Sequence, residues 1–501
     1  MGLEDFHESM STWPQHPVLY EINTWVWLGE LSRKHQRPVN LATVPAEEWD
    51  RIAAGGFDAV WFMGVWERSP AGIEISMQNP ELLEDFHRAL SDFTAADNVG
   101  SPYCVRRYVV DDHLGGPQGL AAARDMLRAR GLGLIVDFVP NHVAPDHPWA
   151  TDHPEYFIQG SPDDARNDPA SFVKIGGHVF ARGRDPYYPA WPDVLQLNAF
   201  QPELRQAAIA TLADIAGQCD GVRCDMAMLM LNTVFERTWG ARAGAMPAGD
   251  FWRELIPAIN ARWPAFRFIA EAYWDLEWEL QQQGFDHCYD KKLYDRMEHG
   301  DSEGVHQHLR ADPAYQQGMV RFIENHDEPR AAATFPDGKG RAAAVAVLTL
   351  PGAKLLHEGQ LEGRKVRLPV FLARRPEEPV DPGLADFYRQ LLLETRRDVF
   401  RNGEWRLCER HGWPGNSTSH HLLAWCWRRD DECYLVVING HPDPAQARIQ
   451  LPWDELRGKQ WHLRDVLSAE SYDRGGDEMR DGGLYFQLGP WKAQLFQVSV
   501  K

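Results

Sequence analysis

The chain has 501 residues, of which 44% are hydrophobic and 25% are charged, and its formal net charge at pH 7 is −20. This length exceeds one ordinary domain and suits a large domain combined with one or two smaller ones. Because a strongly negative field repels phosphate backbones and anionic lipid headgroups, we expect neither nucleic acid nor a membrane surface as a partner.

Short apolar, β-branched runs alternate with amphipathic helical segments up to residue 397. This alternation predicts an α/β fold, specifically a (β/α)8 TIM barrel. A doubly wound sheet usually has fewer strands and a glycine-rich first turn, and neither GxGxxG nor GxxxxGK[ST] follows the first strand. The predicted strands are residues 18–22, 59–63, 133–138, 221–225, 267–271, 287–290, 319–324 and 353–357. The predicted helices include residues 117–130, 201–218, 250–261 and 384–397.

The segment 143–192 interrupts this alternation after the third strand and is rich in Pro, Asp, His and aromatic residues. A connection of about 50 residues exceeds ordinary βα loops and usually carries function. Since it follows a barrel strand, we expect it at the carboxyl-terminal rim, where active sites of such barrels form. We therefore predict an inserted subdomain, 143–192, within a catalytic barrel formed by residues 1–142 and 193–397.

The character of the sequence changes after residue 397. Strand-like runs at 421–427, 433–438, 447–451 and 493–500 are separated by turn clusters rich in Gly, Asn, Asp and Pro. This pattern predicts a C-terminal all-β sandwich domain over residues 398–501.

Seven cysteines, an odd number, are scattered along the chain without a CxxC pair. This distribution favours neither a disulfide framework nor a zinc site and is typical of a reducing compartment. The segment Met1–His7 has no basic region followed by an apolar run, so we expect no secretory signal. No run of about 18 apolar residues indicates a membrane helix. These features predict a cytoplasmic protein.

Three carboxylates stand at or just after the ends of predicted strands: Asp225 after the fourth, Glu271 after the fifth and Asp327 after the seventh. Each alone could cap the next helix. Together they converge on one rim of the barrel. Paired carboxylates suit glycoside hydrolysis, in which one protonates the leaving oxygen while the other attacks or stabilises the sugar.

Arg223 precedes Asp225 by two residues and therefore points to the same side of the strand. Its guanidinium is expected to favour the ionised form of Asp225, as a nucleophile requires. A structural ion pair is the alternative, and both interpretations can hold together.

Four segments in order along the chain, and a fifth near the end of the insertion, resemble the shared motifs of glycoside hydrolase family thirteen, the α-amylase family. The resemblance covers the barrel, the insertion and the C-terminal domain. The motif segments are 137–142 (DFVPNH), 221–227 (GVRCDMA), 269–272 (IAEA) and 325–327 (NHD), with 195–198 (LQLN) as the additional one.

The resemblance implies the catalytic roles. Asp225 would attack the anomeric carbon and form a β-glycosyl-enzyme intermediate. Glu271 would protonate the leaving oxygen and then activate the incoming water or sugar hydroxyl. Asp327 would grip the 2- and 3-hydroxyls of the sugar and distort its ring.

The resemblance also implies substrate-binding residues around these carboxylates. Arg223 would orient Asp225, and His142 and His326 would donate hydrogen bonds to sugar hydroxyls. Tyr103 would stack beneath the same sugar. The alternative for each isolated His is an ordinary structural role, and for the Tyr, packing in the core.

The sequence departs from the family where many members carry Lys-His, three and four residues after the nucleophile. Here Met228 and Leu229 occupy those positions, which removes a distal glucose contact and a calcium contact. We expect no metal and no cofactor in the chemistry. A structural calcium ion would need about 6–8 oxygens, and Asn141 could supply one.

Further oxygen donors for such an ion are Asp163, Asp164 and Asp168, for which a solvated acidic loop is the alternative. Glu358, after the eighth strand, is expected either to line the sugar pocket or to cap a following helix.

We predict a retaining α-glucan hydrolase of α-amylase type, which cleaves α-1,4-glucosidic bonds in α-glucans or maltooligosaccharides. The alternative is a maltosyl- or glucosyltransferase on the same machinery, in which a sugar hydroxyl replaces water. The segment 145–155 is similar to a stretch of maltosyltransferases that use a phosphorylated donor. A non-catalytic relative would usually have lost a catalytic carboxylate or gained a membrane helix.

Overall fold

The computed structural model describes residues 13–336 and 338–501, and eight of its strands close into a parallel barrel. Each strand pairs with the next, and the first closes on the eighth through Val18 opposite Lys354. The predicted (β/α)8 barrel is therefore confirmed. In chain order the barrel strands are Val18–Asn23, Ala59–Met63, Gly133–Phe138, Gly221–Cys224, Arg267–Ala270, His287–Tyr289, Met319–Arg321 and Ala353–His357.

The strands form at short, largely apolar runs, several of which also contain a buried charged residue such as Glu21 or Lys354. Ala59–Met63 and Ala353–His357 are buried at every residue, as expected of parallel strands that are covered on both faces. The fourth to seventh strands end one to three residues before the predicted ends. Their last predicted residues, including Asp225 and Glu271, lie where the chain leaves the sheet for the rim.

Helices surround the barrel and occupy its connections. The four predicted helices are confirmed as Gly116–Arg128, Pro202–Ala216, Phe251–Asn260 and Pro382–Thr395, with bounds that shift by one to two residues. The other α-helices are Thr24–His35, Ala46–Ala54, Pro70–Ser76, Pro80–Ala89, Trp149–Asp152, Pro162–Asn167, Asn232–Trp239, Glu277–Gln282, Lys291–His299, Ser302–Leu309, Pro313–Gln317, Ala331–Thr334, Gly338–Thr349 and Asp398–Asn402.

Two excursions leave the barrel at its carboxyl-terminal rim. The predicted insertion is bounded by the paired strands His142–Val143 and Leu195–Gln196 and contains the hairpin Phe172–Ile175 with His178–Ala181. A second excursion, between the second and third barrel strands, pairs Trp66–Arg68 with Val105–Val110. The sequence analysis did not predict this second excursion.

The C-terminal β domain is confirmed as two antiparallel sheets. The three-stranded sheet has the order Glu409–His411, Ala445–Gln450 and Leu484–Leu488. The six-stranded sheet has the order Glu404–Leu407, Leu422–Arg429, Glu432–Asn439, Ala493–Val500, Gln460–Asp465 and Ser471–Gly475.

Two buried tryptophans attach this domain to the barrel. The indole of Trp425 donates to the hydroxyl of Thr349 at 3.2 Å, and that of Trp427 donates to the carbonyl of Thr349 at 2.6 Å. Thr349 ends the helix Gly338–Thr349, whose last carbonyls have no partner within the helix. The C-terminal domain therefore supplies a hydrogen bond to the last carbonyl of a barrel helix.

No helix in the described parts of the chain is long and apolar enough to cross a membrane. The prediction that Met1–His7 carries no secretory signal lies outside the described residues. All seven cysteines are buried and none forms a disulfide.

Candidate active site

The rim of the barrel brings together Asp225, Glu271 and Asp327. The amide of Asp225 donates to the carbonyl of Phe138 at 2.8 Å, and that of Glu271 donates to the carbonyl of Cys224 at 3.0 Å. These bonds continue the hydrogen bonding between neighbouring barrel strands by one residue, and they fix the backbone of Asp225 and of Glu271. Asp225 and Glu271 are buried, whereas 46% of the side chain of Asp327 is exposed. The three carboxylates thus differ in environment.

Arg223 joins the two buried carboxylates. Its Nη1 lies 2.7 Å from Oδ1 of Asp225, and its Nη2 lies 2.8 Å from Oε2 of Glu271. The guanidinium is itself 1% exposed. Because one planar group contacts both carboxylates, the two carboxylates lie beside the same guanidinium. The predicted contact between Arg223 and Asp225 is present.

Burial and charge act in opposite directions on Asp225. Burial disfavours the carboxylate and raises its pKa to about 6, although Arg223 lowers the pKa by charge and by its hydrogen bond. Arg223 therefore favours the ionised form, as predicted, but burial outweighs it. Asp225 is therefore mostly ionised only at pH values above about 6.

Glu271 is held in an environment that favours its protonated form more strongly. Burial raises its pKa to about 7, and the nearby charges of Asp225 and Asp327 add to this, against the opposing effect of Arg223. The amide of Met226 donates to Oε2 at 2.7 Å, and the hydroxyl of Tyr273 donates to Oε1 at 2.9 Å. Two neighbouring carboxyls with separated pKa values can act as nucleophile and acid.

His326 lies between two carboxylates. Its Nδ1 bonds to Oε1 of Glu21, and its Nε2 lies 3.0 Å from Oδ2 of Asp327. Burial would lower the pKa of His326, but Asp327 and Glu21 outweigh it and raise the pKa well above the ordinary value. Desolvation opposes ionisation of Asp327, yet His326 lowers the pKa of Asp327 to about 2. His326 is therefore positively charged and Asp327 negatively charged near pH 7, and the two charges lie next to each other.

Tyr103 reaches the site from the excursion between the second and third strands. Its hydroxyl lies 2.6 Å from Nε2 of His326, and its ring stacks on that imidazole at 5.4 Å between centroids. The guanidinium carbon of Arg223 lies 5.2 Å from the centre of the Tyr103 ring. Tyr103 therefore lies beside Arg223 and His326, and its stacking beneath a sugar stays a prediction.

His142 approaches the nucleophile from the base of the insertion. Its Nε2 lies 4.0 Å from Oδ2 of Asp225, and its Nδ1 lies 3.2 Å from the side-chain amide of Asn141. Burial lowers the pKa of His142 to about 4. The ring is therefore neutral near pH 7 and can donate or accept without adding charge.

Met228 and Leu229 belong to the short 3-10 helix Ala227–Met230 and are buried. Neither is placed to contact a distal sugar. Tyr187, an exposed aromatic residue of the insertion, packs on Trp274, three residues after Glu271, at 4.8 Å between centroids.

The residues predicted as possible calcium ligands make contacts within the protein. Asn141 bonds to Gln196, Asp164 caps the helix Pro162–Asn167 and pairs with Arg242, and Asp163 contacts Arg166. In residues 13–336 and 338–501, no group of three or more His, Cys, Asp or Glu side chains is arranged to hold a metal ion.

The expectation that Glu358 caps a helix is wrong. The chain continues in turns and irregular structure until Pro382, and both carboxylate oxygens of Glu358 accept from Arg375, at 3.0 and 3.1 Å.

The sequence analysis missed Glu21, Tyr273 and a role for Asp137. Asp137 lies 3.6 Å from Nη1 of Arg223 and accepts from the indole of Trp61 at 3.1 Å. Its position in the first motif was a usable signal. Glu21 could have been noticed as an acid within an apolar strand. Tyr273 had no signal, since a Tyr in a loop is ordinary.

Fold and site together define the class of protein: a (β/α)8 barrel with a rim insertion, carboxylates after the fourth, fifth and seventh strands, and a C-terminal β sandwich. The predicted resemblance to the α-amylase family is confirmed by similar proteins over the length of the chain, although no protein-family model matches the sequence.

Several curated proteins are similar to the chain. It is 26% identical over 481 residues to Alpha-amylase MalA of Haloarcula japonica, which covers 93% of this chain and 60% of that protein. It is 23% identical over 544 residues to 1,4-alpha-glucan branching enzyme GlgB of Dechloromonas aromatica, and the alignment covers 98% of this chain and 79% of that protein. It is 22% identical over 491 residues to alpha-1,4-glucan:maltose-1-phosphate maltosyltransferase of Bifidobacterium longum, and the alignment covers 90% of this chain and 57% of that protein.

Among solved structures, the maltogenic alpha-amylase AmyB of Thermotoga neapolitana superposes with a TM-score of 0.69 at 19% identity, over 97% of this chain and 99% of that one. An alpha-amylase from Lactobacillus plantarum gives a TM-score of 0.65 at 18% identity, and the superposition covers 96% of this chain and 99% of that one. These likenesses establish the fold.

Proposed function

We propose that this chain is a retaining α-glucan-active enzyme that cleaves α-1,4-glucosidic bonds, with Asp225 as nucleophile and Glu271 as general acid/base. The observation that carries the proposal is the contact of one buried guanidinium, Arg223, with both carboxylates. The pKa of Asp225, about 6, lies below that of Glu271, about 7, so the first can be ionised while the second keeps its proton.

In the first half of the reaction, an oxygen of Asp225 forms a bond to the anomeric carbon. The bond from that carbon to the glycosidic oxygen breaks, and Glu271 gives its proton to the leaving oxygen. In the second half, Glu271 takes a proton from water, whose oxygen attacks the anomeric carbon and displaces Asp225. Two inversions retain the configuration. We propose that no cofactor takes part, because acid, base and nucleophile are all protein side chains.

The surrounding residues would bind the sugar. Asp327 is the exposed carboxylate of the three, and its charge is held by His326, so it can accept hydrogen bonds from sugar hydroxyls. His142 is beside Asp225 and would donate to a hydroxyl of the same sugar. Tyr103, stacked on His326, offers its ring to the apolar face of the pyranose.

A second candidate function is transglycosylation with the same residues. It is favoured by the similarity to proteins named as a branching enzyme and a maltosyltransferase. In that case a sugar hydroxyl, instead of water, would give its proton to Glu271 and attack the intermediate. Hydrolysis and transfer differ in the acceptor and share the first half-reaction.

Product analysis separates the two functions. The protein is incubated with maltooligosaccharides, sucrose, trehalose and maltose 1-phosphate, and the products are resolved by chromatography and by NMR of the anomeric protons. Shorter sugars with initially α-configured reducing ends support retaining hydrolysis, and longer or newly linked chains support transfer. The absence of any product from these substrates would contradict the proposal.

We also propose a cytoplasmic location. The seven cysteines are buried thiols without a disulfide, as is usual for proteins of a reducing compartment. Fractionation of the native host, followed by detection of the protein, would test this.

A further inference from the structure

Four histidines lie where the C-terminal domain meets the barrel. His306 belongs to the barrel helix Ser302–Leu309, which packs against the 3-10 helix Ser419–His421 and the strand Leu422–Arg429 of the C-terminal domain. The other three come from the C-terminal domain: His420, His421 and His441. These four residues are called the histidine cluster below, and none of them belongs to the candidate active site.

Two imidazole rings of the histidine cluster are stacked face to face. The ring centroids of His421 and His441 lie 3.6 Å apart with an angle of 10° between the planes, and the ring of His420 lies 4.3 Å from that of His421. Nδ1 of His441 accepts from the amide of Asp443 at 3.2 Å. Because both nitrogens of a protonated imidazole are donors, this bond exists only while His441 is neutral.

Two rings of the histidine cluster have buried nitrogens that would be costly to protonate. His306 is 5% exposed, and neither of its ring nitrogens has a hydrogen-bond partner within residues 13–336 and 338–501. Nδ1 of His421 is also buried, again without a partner in the described part of the chain. A buried charge is unfavourable unless it is paired and hydrogen-bonded, so this packing favours the neutral rings.

A buried cation lies beside the histidine cluster. Arg410 donates to the carbonyls of His420 and Leu422 at 2.6 and 2.7 Å, and its guanidinium contacts Glu303 of the barrel helix. The side chain of Arg410 is 8% exposed, whereas that of Glu303 is 50% exposed. The other charged groups that act on the cluster are Arg310, Glu409 and Asp443. Protons on the histidines would therefore add to a cation that is already buried.

The pKa values have the direction that this packing requires. Burial lowers the pKa of His306, and Arg410 lowers it further, against the raising effects of Glu303 and Glu409. Burial and the neighbouring rings of His441 and His420 lower the pKa of His421. An unfolded histidine keeps a pKa of about 6.5. The stability that these groups contribute is therefore complete above about pH 6.5 and is lost as the pH falls through the lowered values.

We propose that the histidine cluster is an acid-sensitive switch, which holds the C-terminal domain against the helix Ser302–Leu309 when neutral and releases this edge when protonated. Protonation would place like charges 3.6 Å apart in the stack of His421 and His441, beside Arg410. The hydroxyl of Ser302 donates to the carbonyl of Gly440 at 2.9 Å across the same edge, and this bond breaks on release.

The release is confined to one edge of the interface. Trp425 and Trp427 hold another part of the C-terminal domain to Thr349 through indole hydrogen bonds, and no titratable side chain takes part in those bonds. The switch therefore opens a contact between the domains without detaching the domain.

A metal ion is another ligand that clustered histidines can have. Metal ligands direct their nitrogens at one centre, whereas His421 and His441 present ring faces to each other. Among the described residues, no group of three or more His, Cys, Asp or Glu side chains is arranged to hold a metal ion. A metal site is therefore an outcome of the test below and not part of the proposal.

The test measures how often the edge opens. Ser302→Cys places a thiol at a position that is 5% exposed, so 4,4′-dithiodipyridine reaches this thiol when the edge opens. The seven native cysteines are buried, and the chain without Ser302→Cys gives their background. Labelling rates of the full chain are compared between variants at the same pH, so that the pH dependence of the thiol reaction cancels.

The main variant combines His306→Phe with His421→Phe in the Ser302→Cys background, which keeps a ring at each place and removes two titrating groups. Labelling at about pH 5.5 should slow at least about fivefold, and the rate at about pH 7.5 should stay within about twofold. His113→Phe is the matched control and should change neither rate. His113 is exposed and stacks on Trp25 at 4.6 Å in the connection between the second and third barrel strands.

His441→Asn is a second variant in case the double substitution prevents folding. Asn offers a carbonyl oxygen to the amide of Asp443 and stays uncharged. It should slow labelling at about pH 5.5 in the same direction and leave the Tm at about pH 7.5 unchanged.

Equal labelling rates at about pH 5.5 in the parent, in the double variant and in His441→Asn overturn the proposal. A Tm at about pH 7.5 that falls when EDTA is added also overturns it, in favour of a metal site. The proposal is independent of the proposed catalytic function, because labelling requires no turnover of glucan.

Discussion

The hydroxyl of Tyr273 donates a hydrogen bond to Oε1 of Glu271 at 2.9 Å. The other oxygen of Glu271 accepts from the amide of Met226, whose φ of 43° is unusual for a residue other than glycine. Both oxygens of the proposed acid/base are therefore occupied by donors. Such donors favour the charged form of a carboxylate, so they limit how far burial raises the pKa of Glu271.

Tyr273→Phe should raise the pKa of Glu271, because it removes one donor to the carboxylate. Since Glu271 must be protonated to act as the acid, the alkaline limb of the kcat/KM profile should move to higher pH, and kcat should fall about tenfold. The measurement is a pH–rate profile on a maltooligosaccharide. Tyr485→Phe in the C-terminal domain serves as the control. An alkaline limb that stays in place or moves to lower pH would refute this role of Tyr273.

The wild-type protein should show a bell-shaped pH dependence. Activity requires ionised Asp225, whose pKa is about 6, and protonated Glu271, whose pKa is about 7. Activity should therefore fall as the pH drops below about 6 and as it rises above about 7. The profile of kcat/KM reports these apparent values for the free enzyme. A plateau that extends to pH 9 would be inconsistent with Glu271 as the acid.

Asp225→Asn should abolish turnover while leaving the structure intact. Removal of a nucleophile costs at least roughly 10⁴-fold in kcat in comparable covalent catalysts. Asn has almost the same shape and can still contact Arg223, so the melting temperature should change little and maltooligosaccharide binding should persist. Single-turnover kinetics and calorimetric titration would measure these effects. A variant with wild-type kcat would eliminate Asp225 as the nucleophile.

Glu21→Gln should move the alkaline limb in the direction opposite to Tyr273→Phe. Glu21 is fully buried and helps raise the pKa of His326, so loss of its charge lowers that pKa. His326 would then lose its proton as the pH rises, Asp327 would lose its cationic partner, and kcat/KM should fall by about tenfold or more on the alkaline side.

The pH–rate profile and the NMR titration of His326 are the measurements. Unchanged titration of His326 in Glu21→Gln would show that Glu21 has no part in holding the cation.

Trp427→Ala should destabilise the protein by about 3–5 kcal/mol, because it removes a buried aromatic side chain and leaves a cavity. It also deletes the indole bond to the carbonyl of Thr349, and with it a contact between the two domains. Urea unfolding followed by tryptophan fluorescence would give the change in midpoint. Trp413→Ala, where the side chain is 38% exposed, is the control and should cost far less. Equal effects of the two substitutions would contradict this account of the interface.

Local patterns in the sequence predicted most of the framework. All eight strand starts were predicted, because parallel strands buried on both faces are largely apolar. The sequence also placed Asp225 and Glu271 at strand ends, and the order of strands around a barrel follows the order along the chain. The C-terminal sandwich was visible for the same reason: its strands are separated by recognisable turn clusters.

Contacts between distant segments could not be predicted in this way. The excursion between the second and third strands has no periodic pattern of its own, yet it delivers Tyr103 to His326, 223 residues away. Glu21 meets His326 across 305 residues. Such pairs depend on how loops fold over the rim, which no local pattern encodes.

The sequence by itself determined the barrel and the domain order, and it predicted the reactive carboxylates, because these follow from hydrophobic periodicity and from motifs at strand ends. Only the tertiary structure decided the protonation of those carboxylates and their neighbours. Burial of Asp225 and Glu271 around Arg223 raises both pKa values, while the exposed Asp327 is held ionised by His326. Desolvation and charge are properties of the packed environment, and the residue type alone does not specify that environment.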